Sequence, residues 1–285
     1  MSACATEVAA TVWSKDFAFD QRDFERVQKL IYGRAGIALH EGKQNMVYSR
    51  LARRLRQTGA PDFRSYLDRL ETASDAGAEW QQFVNALTTN LTAFWREAHH
   101  FPVLAEHIAK RAHLGPVRLW CCAASTGEEP YTMAITAMEA CASRTPPVSI
   151  LATDINTDVL EKARRGVYDE IDVANIPPGH LKRYFLRGKG RHRGLVRVRP
   201  EVQALVHFDA INLLDSHWPV QQRFDAIFCR NVMIYFDRAT QLRVLRALSR
   251  HLTPGGLLFA GHSENFTQAQ DILQPLRHTV YRLRS

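Results

Sequence analysis

The chain contains no run of apolar residues approaching the ~20 that a membrane-spanning helix needs, so direct membrane insertion is not expected. Its opening stretch, Ala3-Cys-Ala-Thr-Glu-Val-Ala-Ala-Thr-Val-Trp13, is too polar for a secretory signal and lacks the basic lead. Cysteine is sparse: five residues, an odd number, scattered and without zinc-finger spacing. That argues against a disulfide framework and a structural metal, and makes reduced thiols in the cytoplasm the default. Internal repeats and low-complexity tracts are missing as well. So is the glycine pattern that cradles a pyrophosphate, which counts against a nicotinamide oxidoreductase. The apolar share of 46% and charged share of 23% are those of an ordinary globular protein, and 285 residues hold one large domain or two modest ones. Acidic residues are outnumbered, 29 against 37 Lys and Arg, for a net charge of +8. An anionic partner is implied, whether nucleic acid, lipid surface or acidic protein.

What is present centres on Val117-Arg-Leu-Trp-Cys-Cys-Ala-Ala-Ser-Thr-Gly-Glu-Glu-Pro-Tyr131. Val117 to Cys122 reads as a short buried parallel strand. Ala123, Ala124, Ser125 and Gly127 admit close approach of a backbone or ligand. Pro130 suits a first helical turn, and Tyr131, Ala134, Ile135 and Met138 continue at helical spacing. Glu128 and Glu129 at this junction have two readings. One is simple matching to the positive end of the helix dipole. The other is that one acid faces a ligand at the carboxyl end of the strand, where doubly wound sheets bind small molecules. A carboxylate there suits a cation better than a phosphate.

Upstream, residues 1–19 read as an arm and 20–87 as a small helical domain. Asp20 caps a helix bearing Phe24, Val27 and Ile31, which Gly33 and Gly36 end. A second helix, about Lys43 to Gln57, carries Val47, Leu51 and Leu55, with Arg50, Arg53 and Arg56 as a basic arc beside the stripe. Such an arc is a solvated face or an electrostatic dock for an acidic partner. Phe63, Tyr66, Leu67 and Leu70 make a third stripe; Trp80, Phe83, Val84 and Leu87 a fourth. Residues 88–100 then read as a linker and candidate lid between domains, since domain interfaces favour pockets.

From 101 to 285 the pattern is α/β. A second strand, 148–154, ends in Asp154, where doubly wound folds place an acid on ribose hydroxyls. Asn156 or Asp158 caps the helix that follows. Residues 166–203 interrupt the rhythm, and a small antiparallel insertion is expected at about 186–203. There Leu195-Val-Arg-Val-Arg199 alternates as a half-exposed strand does. The insertion reads as a solvated hairpin, an edge that accepts a peptide, or a basic RNA site. Strands are expected at 204–208 and 209–213, within 224–237 with polar residues at its end, and at 257–264 and 279–283.

Acids on the first and second strands, and Asn and Asp on later ones, suit a nucleoside cation without phosphates, which describes S-adenosylmethionine. Four longer motifs make the resemblance specific: Ala-Leu-Thr-Thr-Asn-Leu-Thr-Ala-Phe-Trp-Arg-Glu (86–97), Ala-Ser-Thr-Gly-Glu-Glu-Pro-Tyr (124–131), Phe-Cys-Arg-Asn-Val-Met-Ile-Tyr-Phe (228–236) and Gly-Gly-Leu-Leu-Phe-Ala-Gly-His-Ser-Glu-Asn-Phe (255–266). In this order they resemble the chemotaxis receptor glutamate methyltransferases, the CheR family. The tract Arg187-Gly-Lys-Gly-Arg-His-Arg-Gly-Leu-Val-Arg-Val-Arg199 is similar to the insertion of its enteric type.

The resemblance implies a Rossmann-like S-adenosylmethionine-dependent methyltransferase fold behind an all-helical domain. It implies transfer of a methyl group to glutamate side chains of chemoreceptors, leaving S-adenosylhomocysteine. Asn90, Thr92 and Arg96 are then expected to touch the cofactor from the linker, with Glu129 on its methionyl end and Asp154 on its ribose. Asn212, Leu213, Arg230 and Asn231 are expected along the adenosine side, and Arg96 and Tyr235 near the transferred methyl. Arg50, Arg53 and Arg56 correspond to the family's contact with receptor cytoplasmic helices, and the insertion to its site for a receptor C-terminal peptide. Leu91 stands where many relatives have Glu, and Trp95 where Phe is usual. Two rival readings are an RNA methyltransferase and a non-catalytic receptor-binding adaptor. Base amino-group methylation generally uses an Asn/Asp-Pro-Pro-aromatic motif, and Arg230-Asn-Val-Met-Ile-Tyr235 stands in its place, so nucleic acid is not the expected partner.

Overall fold

The computed structural model describes residues 16–72 and 77–284, so most of the N-terminal arm (1–15) lies outside the described residues. Four helices come first: α1 (Gln21–Ala35), α2 (Gln44–Thr58), α3 (Phe63–Thr72) and α4 (Ala78–Leu87). Asp20 caps α1 as expected, accepting from Asp23 N, and its own N–H is returned to the Asp23 side chain in a reciprocal capping box. Gly33 does not end α1. The helix runs through it to Gly36, whose φ of 66° is the left-handed cap that glycine adopts freely. The four apolar stripes meet in one core of Phe24, Val27, Ile31, Val47, Leu51, Leu55, Phe63, Leu67 and Phe83.

The remainder is α/β. In chain order come α5 (His100–Ala112), β1 (Val117–Cys121), α6 (Glu128–Ala140), β2 (Val148–Asp154) and α7 (Thr157–Arg165). Next are β3 (Val167–Asp169), α8 (Pro178–Tyr184), β4 (Phe185–Arg187), β5 (Leu195–Val198) and α9 (Pro200–Gln203). The chain closes with β6 (Val206–Ala210), β7 (Phe224–Phe228), α10 (Arg238–Arg250), β8 (Leu252–Phe259), β9 (Leu273–Pro275) and β10 (Val280–Leu283). The main sheet has the order β6-β2-β1-β7-β8-β10-β9, parallel from β6 to β8, with β10 and β9 antiparallel at one edge. Chain direction across the sheet reverses between β1 and β7, which opens a crevice at their carboxyl ends. Cys121 of β1 is there in register with Phe228 of β7.

Three differences from the sequence reading stand out. A single strand, β6, replaces the two expected between 204 and 213, because Ile211 to Leu214 turn back towards the helical domain. Strand β8 starts at Leu252 and takes in Pro254-Gly-Gly256 rather than following it. The small sheet has three strands, β3-β5-β4, so the alternating stretch at 195–198 is its middle strand and not a free edge. Both backbone edges of β5 are used, and any added strand would have to join β3 or β4.

The helical domain is fastened over the crevice from two sides. On one, Asn85 exchanges hydrogen bonds with Thr157, and Asn156 Nδ2 donates to Asn85 O at 3.1 Å and Thr88 Oγ1 at 2.6 Å. Asn156, rather than Asp158, is also the cap of α7. On the other, Ala38 N donates to Tyr235 O at 3.1 Å, Asn212 Nδ2 to Arg34 O at 2.8 Å, and Tyr32 Oη to Asp237.

Candidate active site

Between this roof and the carboxyl ends of β1, β2 and β7 lies a cleft of about 370 Å³, within the ~300–1,000 Å³ usual for small-molecule sites. Asn90, Thr92, Arg96, Glu129, Asp154, Asn212, Leu213, Arg230, Asn231 and Tyr235 all line it. Arg50, Arg53 and Arg56 do not.

The turn after β1 is shaped by Gly127, whose φ is 98° and where a Cβ would stand 2.8 Å from Tyr168 Oη and 2.9 Å from Ala163 Cβ. Only glycine closes this turn without moving α7 or β3. Ser125, at φ 48°, turns its N–H onto Asp154 Oδ2 at 2.8 Å, and Asn156 N donates to Oδ1 at 2.9 Å. Burial raises the Asp154 carboxyl above the usual range, against the pull of these amides. The carboxylate is thereby fixed at the floor of the cleft, with lone pairs left to accept from hydroxyls.

Glu129 is 9% exposed and held from two directions. Cys121 Sγ donates to its Oε1 at 3.2 Å, and Arg230 Nη1 to its Oε2 at 2.7 Å. The Arg230 guanidinium is fully enclosed, lying near the rings of Phe101 and Phe228. It donates to Arg96 O at 2.6 Å and approaches Glu97 Oε2 at 3.2 Å. Arg230 thus turns inward between two acids instead of presenting its charge along the adenosine side. Burial alone would raise the Glu97 carboxyl; Arg230, with hydrogen bonds from His262 and Asn231, outweighs it and holds Glu97 at about 2. Two carboxylates and one guanidinium leave one negative charge uncompensated beside the cleft. A ligand of net charge +1 offsets it, which fits S-adenosylmethionine with its sulphonium, ammonium and carboxylate.

Asn231 sits at φ 57°, a conformation asparagine tolerates. The segment 231–233 is secured by Glu264, which accepts from the N–H groups of Gly261, Asn231, Val232 and Met233 at 2.6–3.0 Å. This fixes the turn Met233–Tyr235 and so the Tyr235 ring over the cleft. Asn212 spends its side-chain amide on the Arg34 carbonyl and its side-chain oxygen on Leu214 N. It ties roof to floor more than it serves a ligand. Arg96 Nη1 donates back to Leu91 O at 2.7 Å, leaving the rest of its guanidinium on the cleft wall without an acidic partner among the described residues.

The basic arc divides. Arg50 Nη1 collects the carbonyls of Ala86, Leu87 and Thr88 at the end of α4, the nearest at 2.7 Å. It is a helix cap, which weakens its expected part in docking. Arg53 is exposed, and Arg56 is exposed but paired with Asp16. Sequence reasoning gave no role to Glu97 or Glu264, although both lie inside quoted motifs. An acid amid small and aromatic residues was the available signal. Leu91 and Ile234, 78% and 52% exposed, stand at the cleft rim as an apolar lip.

Two family models match the chain: "CheR methyltransferase, all-alpha domain" over residues 22–88, and "CheR methyltransferase, SAM binding domain" over 90–282. Curated proteins named chemotaxis protein methyltransferase match nearly end to end. That of Klebsiella aerogenes is 55% identical, covering 91% of this chain and 89% of its own. Those of Salmonella typhimurium and Escherichia coli are 54% and 52% identical over 93% of this chain, and 91% and 92% of theirs.

Proposed function

Given that the chain belongs to the CheR methyltransferase family, we propose that it esterifies glutamate side chains on the cytoplasmic helices of chemoreceptors. The chain is a chemotaxis methyltransferase with an S-adenosylmethionine-binding domain. The finer reading, a protein-glutamate O-methyltransferase, rests on one observation above all. The ten residues expected to serve cofactor and substrate, drawn from five separate stretches of sequence, line one cleft.

S-adenosylmethionine supplies the electrophilic methyl. The protein has to position and to exclude water. A substrate glutamate, with a pKa of about 4.3, is already a carboxylate near neutral pH and needs no general base. Attack on a sulphonium consumes charge on both partners, which water opposes by solvating them. The roof of residues 35–46 and 87–92 limits that solvation. Glu129, backed by Arg230 and Glu97, holds the cationic methionyl end. Asp154 accepts the ribose hydroxyls, and Leu213 flanks the base, with Asn90 and Thr92 above. Arg96 and Tyr235 orient the incoming carboxylate by hydrogen bonds. Among the described residues Arg96 has no acidic partner, so its charge is available to steer the substrate without fixing it in a tight buried pair.

Residues 20–87 act as the receptor-facing domain, with Arg53 and Arg56 as its charged contacts. Residues 88–100 form the linker, and the three-stranded sheet is a platform for a receptor tail at β3 or β4. The site of action is the cytoplasm, where receptor helices are reached. The test is transfer of radiolabelled methyl from S-adenosylmethionine to receptor-bearing membranes, with base-labile release of the label. Label in RNA instead, or cofactor binding without transfer, would replace this reading with the RNA enzyme or the adaptor.

A further inference from the structure

Behind the Arg230–Glu129 pair, Glu97 belongs to a second cluster, whose two imidazoles the proposed transfer does not use. Glu97, His99 and His100 each bring one ligand-type atom to within 4.8 Å of the others. His100 is completely buried, and its Nε2 stands 2.6 Å from the His278 carbonyl oxygen. A carbonyl only accepts, so Nε2 carries a proton and the neutral ring offers Nδ1 as a lone pair. That Nδ1 faces Glu97 Oε2 at 3.7 Å, and both atoms are buried without a hydrogen-bond partner. Such orphans are costly and call for an explanation. The spacing is too long for a direct hydrogen bond. It is what two ligands subtend when each lies ~2.1 Å from one metal ion. An imidazole tethered to a backbone carbonyl through its other nitrogen is also the usual support of a metal-bound histidine. His99 is exposed, with its ring centroid 4.3 Å from that of His100, and gives the cluster a solvent side.

Arg230 is the cation facing this cluster. Its approach to Glu97 Oε2 lacks hydrogen-bond geometry, and it keeps Glu129 and the Arg96 carbonyl whether or not Glu97 is engaged. An ion at Glu97 therefore leaves Arg230 paired.

We propose that Glu97, His99 and His100 form a binding site for a divalent transition-metal ion, two imidazoles and a carboxylate being a donor set that Zn²⁺ accepts. The site does not line the methyl-transfer cleft but shares Glu97 with the Arg230–Glu129 pair beside it; its test reads metal uptake and does not depend on methyl transfer. Full-length protein is titrated with Zn²⁺ against a chromophoric chelator, and with Co²⁺ by visible absorption. One tight equivalent is expected. His99→Ala, at an exposed position, is expected to weaken it by at least ~10-fold. His99→Cys is expected to restore binding and add a thiolate-to-Co²⁺ charge-transfer band that the parent lacks. Equal Zn²⁺ affinity in the parent and His99→Ala would assign any uptake to others of the twelve histidines and overturn the site. So would a folded His99→Cys protein with no new band.

Discussion

Glu97 does not itself line the cleft, yet removing its charge is expected to loosen the cofactor. In the parent, Arg230 is shared between Glu97 and Glu129, and the trio carries one net negative charge. Glu97→Gln keeps the shape but makes the trio neutral, so that Glu129 is fully engaged by Arg230. The two contacts of 3.2 and 2.7 Å and the width of the guanidinium place Glu97 some way behind Glu129. An ammonium on the cleft side of Glu129 is then about 9 Å from the lost charge, worth about 2 kcal/mol at an effective dielectric of about 20. That corresponds to a roughly 30-fold rise in Kd for S-adenosylmethionine or its demethylated product, read by titration calorimetry. Thermal unfolding without ligand is the control, since Arg230 retains Glu129 and the Arg96 carbonyl. A folded Glu97→Gln protein whose Kd stays within about threefold of the parent would refute the charge-sharing logic. It would also remove the methionyl end from the neighbourhood of Glu129.

Tyr235→Phe is expected to slow methyl transfer at least ~10-fold while leaving cofactor Kd unchanged, because only an orienting hydrogen bond is lost; single-turnover rates beside calorimetry decide it. Arg53→Glu is expected to raise KM for receptor membranes severalfold without altering the melting temperature, whereas Arg50→Ala, which uncaps α4, lowers stability by about 1–2 kcal/mol. Identical behaviour of the two variants would erase the distinction between dock and cap. Glu264→Gln leaves one amide oxygen to serve four backbone N–H groups, at a cost of about 1–3 kcal/mol. It is also expected to blur the turn that carries Tyr235, so kcat should fall more than cofactor affinity. Unchanged denaturant midpoint and kcat would contradict that.

Much of the fold was legible because its signals are local. Apolar spacing marked every helix of the first domain, and strand–small-residue–helix punctuation marked β1 and α6. Gly33 misled because a glycine inside a helix lowers stability modestly without ending it; only the positive φ at Gly36 does so. The 195–198 strand alternates because one face is buried, and alternation says nothing of whether neighbours lie on one side or both. The cleft residues were nominated by motif. What they do to one another was hidden, since the pairing of Arg230 with Glu97 and Glu129 joins positions over a hundred residues apart. Arg50 looked like its exposed neighbours because helical spacing does not reveal which arginine finds carbonyls to bond.

The strap from Ala38 N to Tyr235 O has a mechanical meaning. A large macromolecular target that grips the helical domain pulls, through this amide and the Tyr32–Asp237 hydrogen bond beside it, on the very loop presenting the phenol. Any rocking of the α-helical half on its β support therefore retunes the aim of that hydroxyl, so grip strength and reaction rate should rise and fall together when the 36–38 connection is stiffened or slackened.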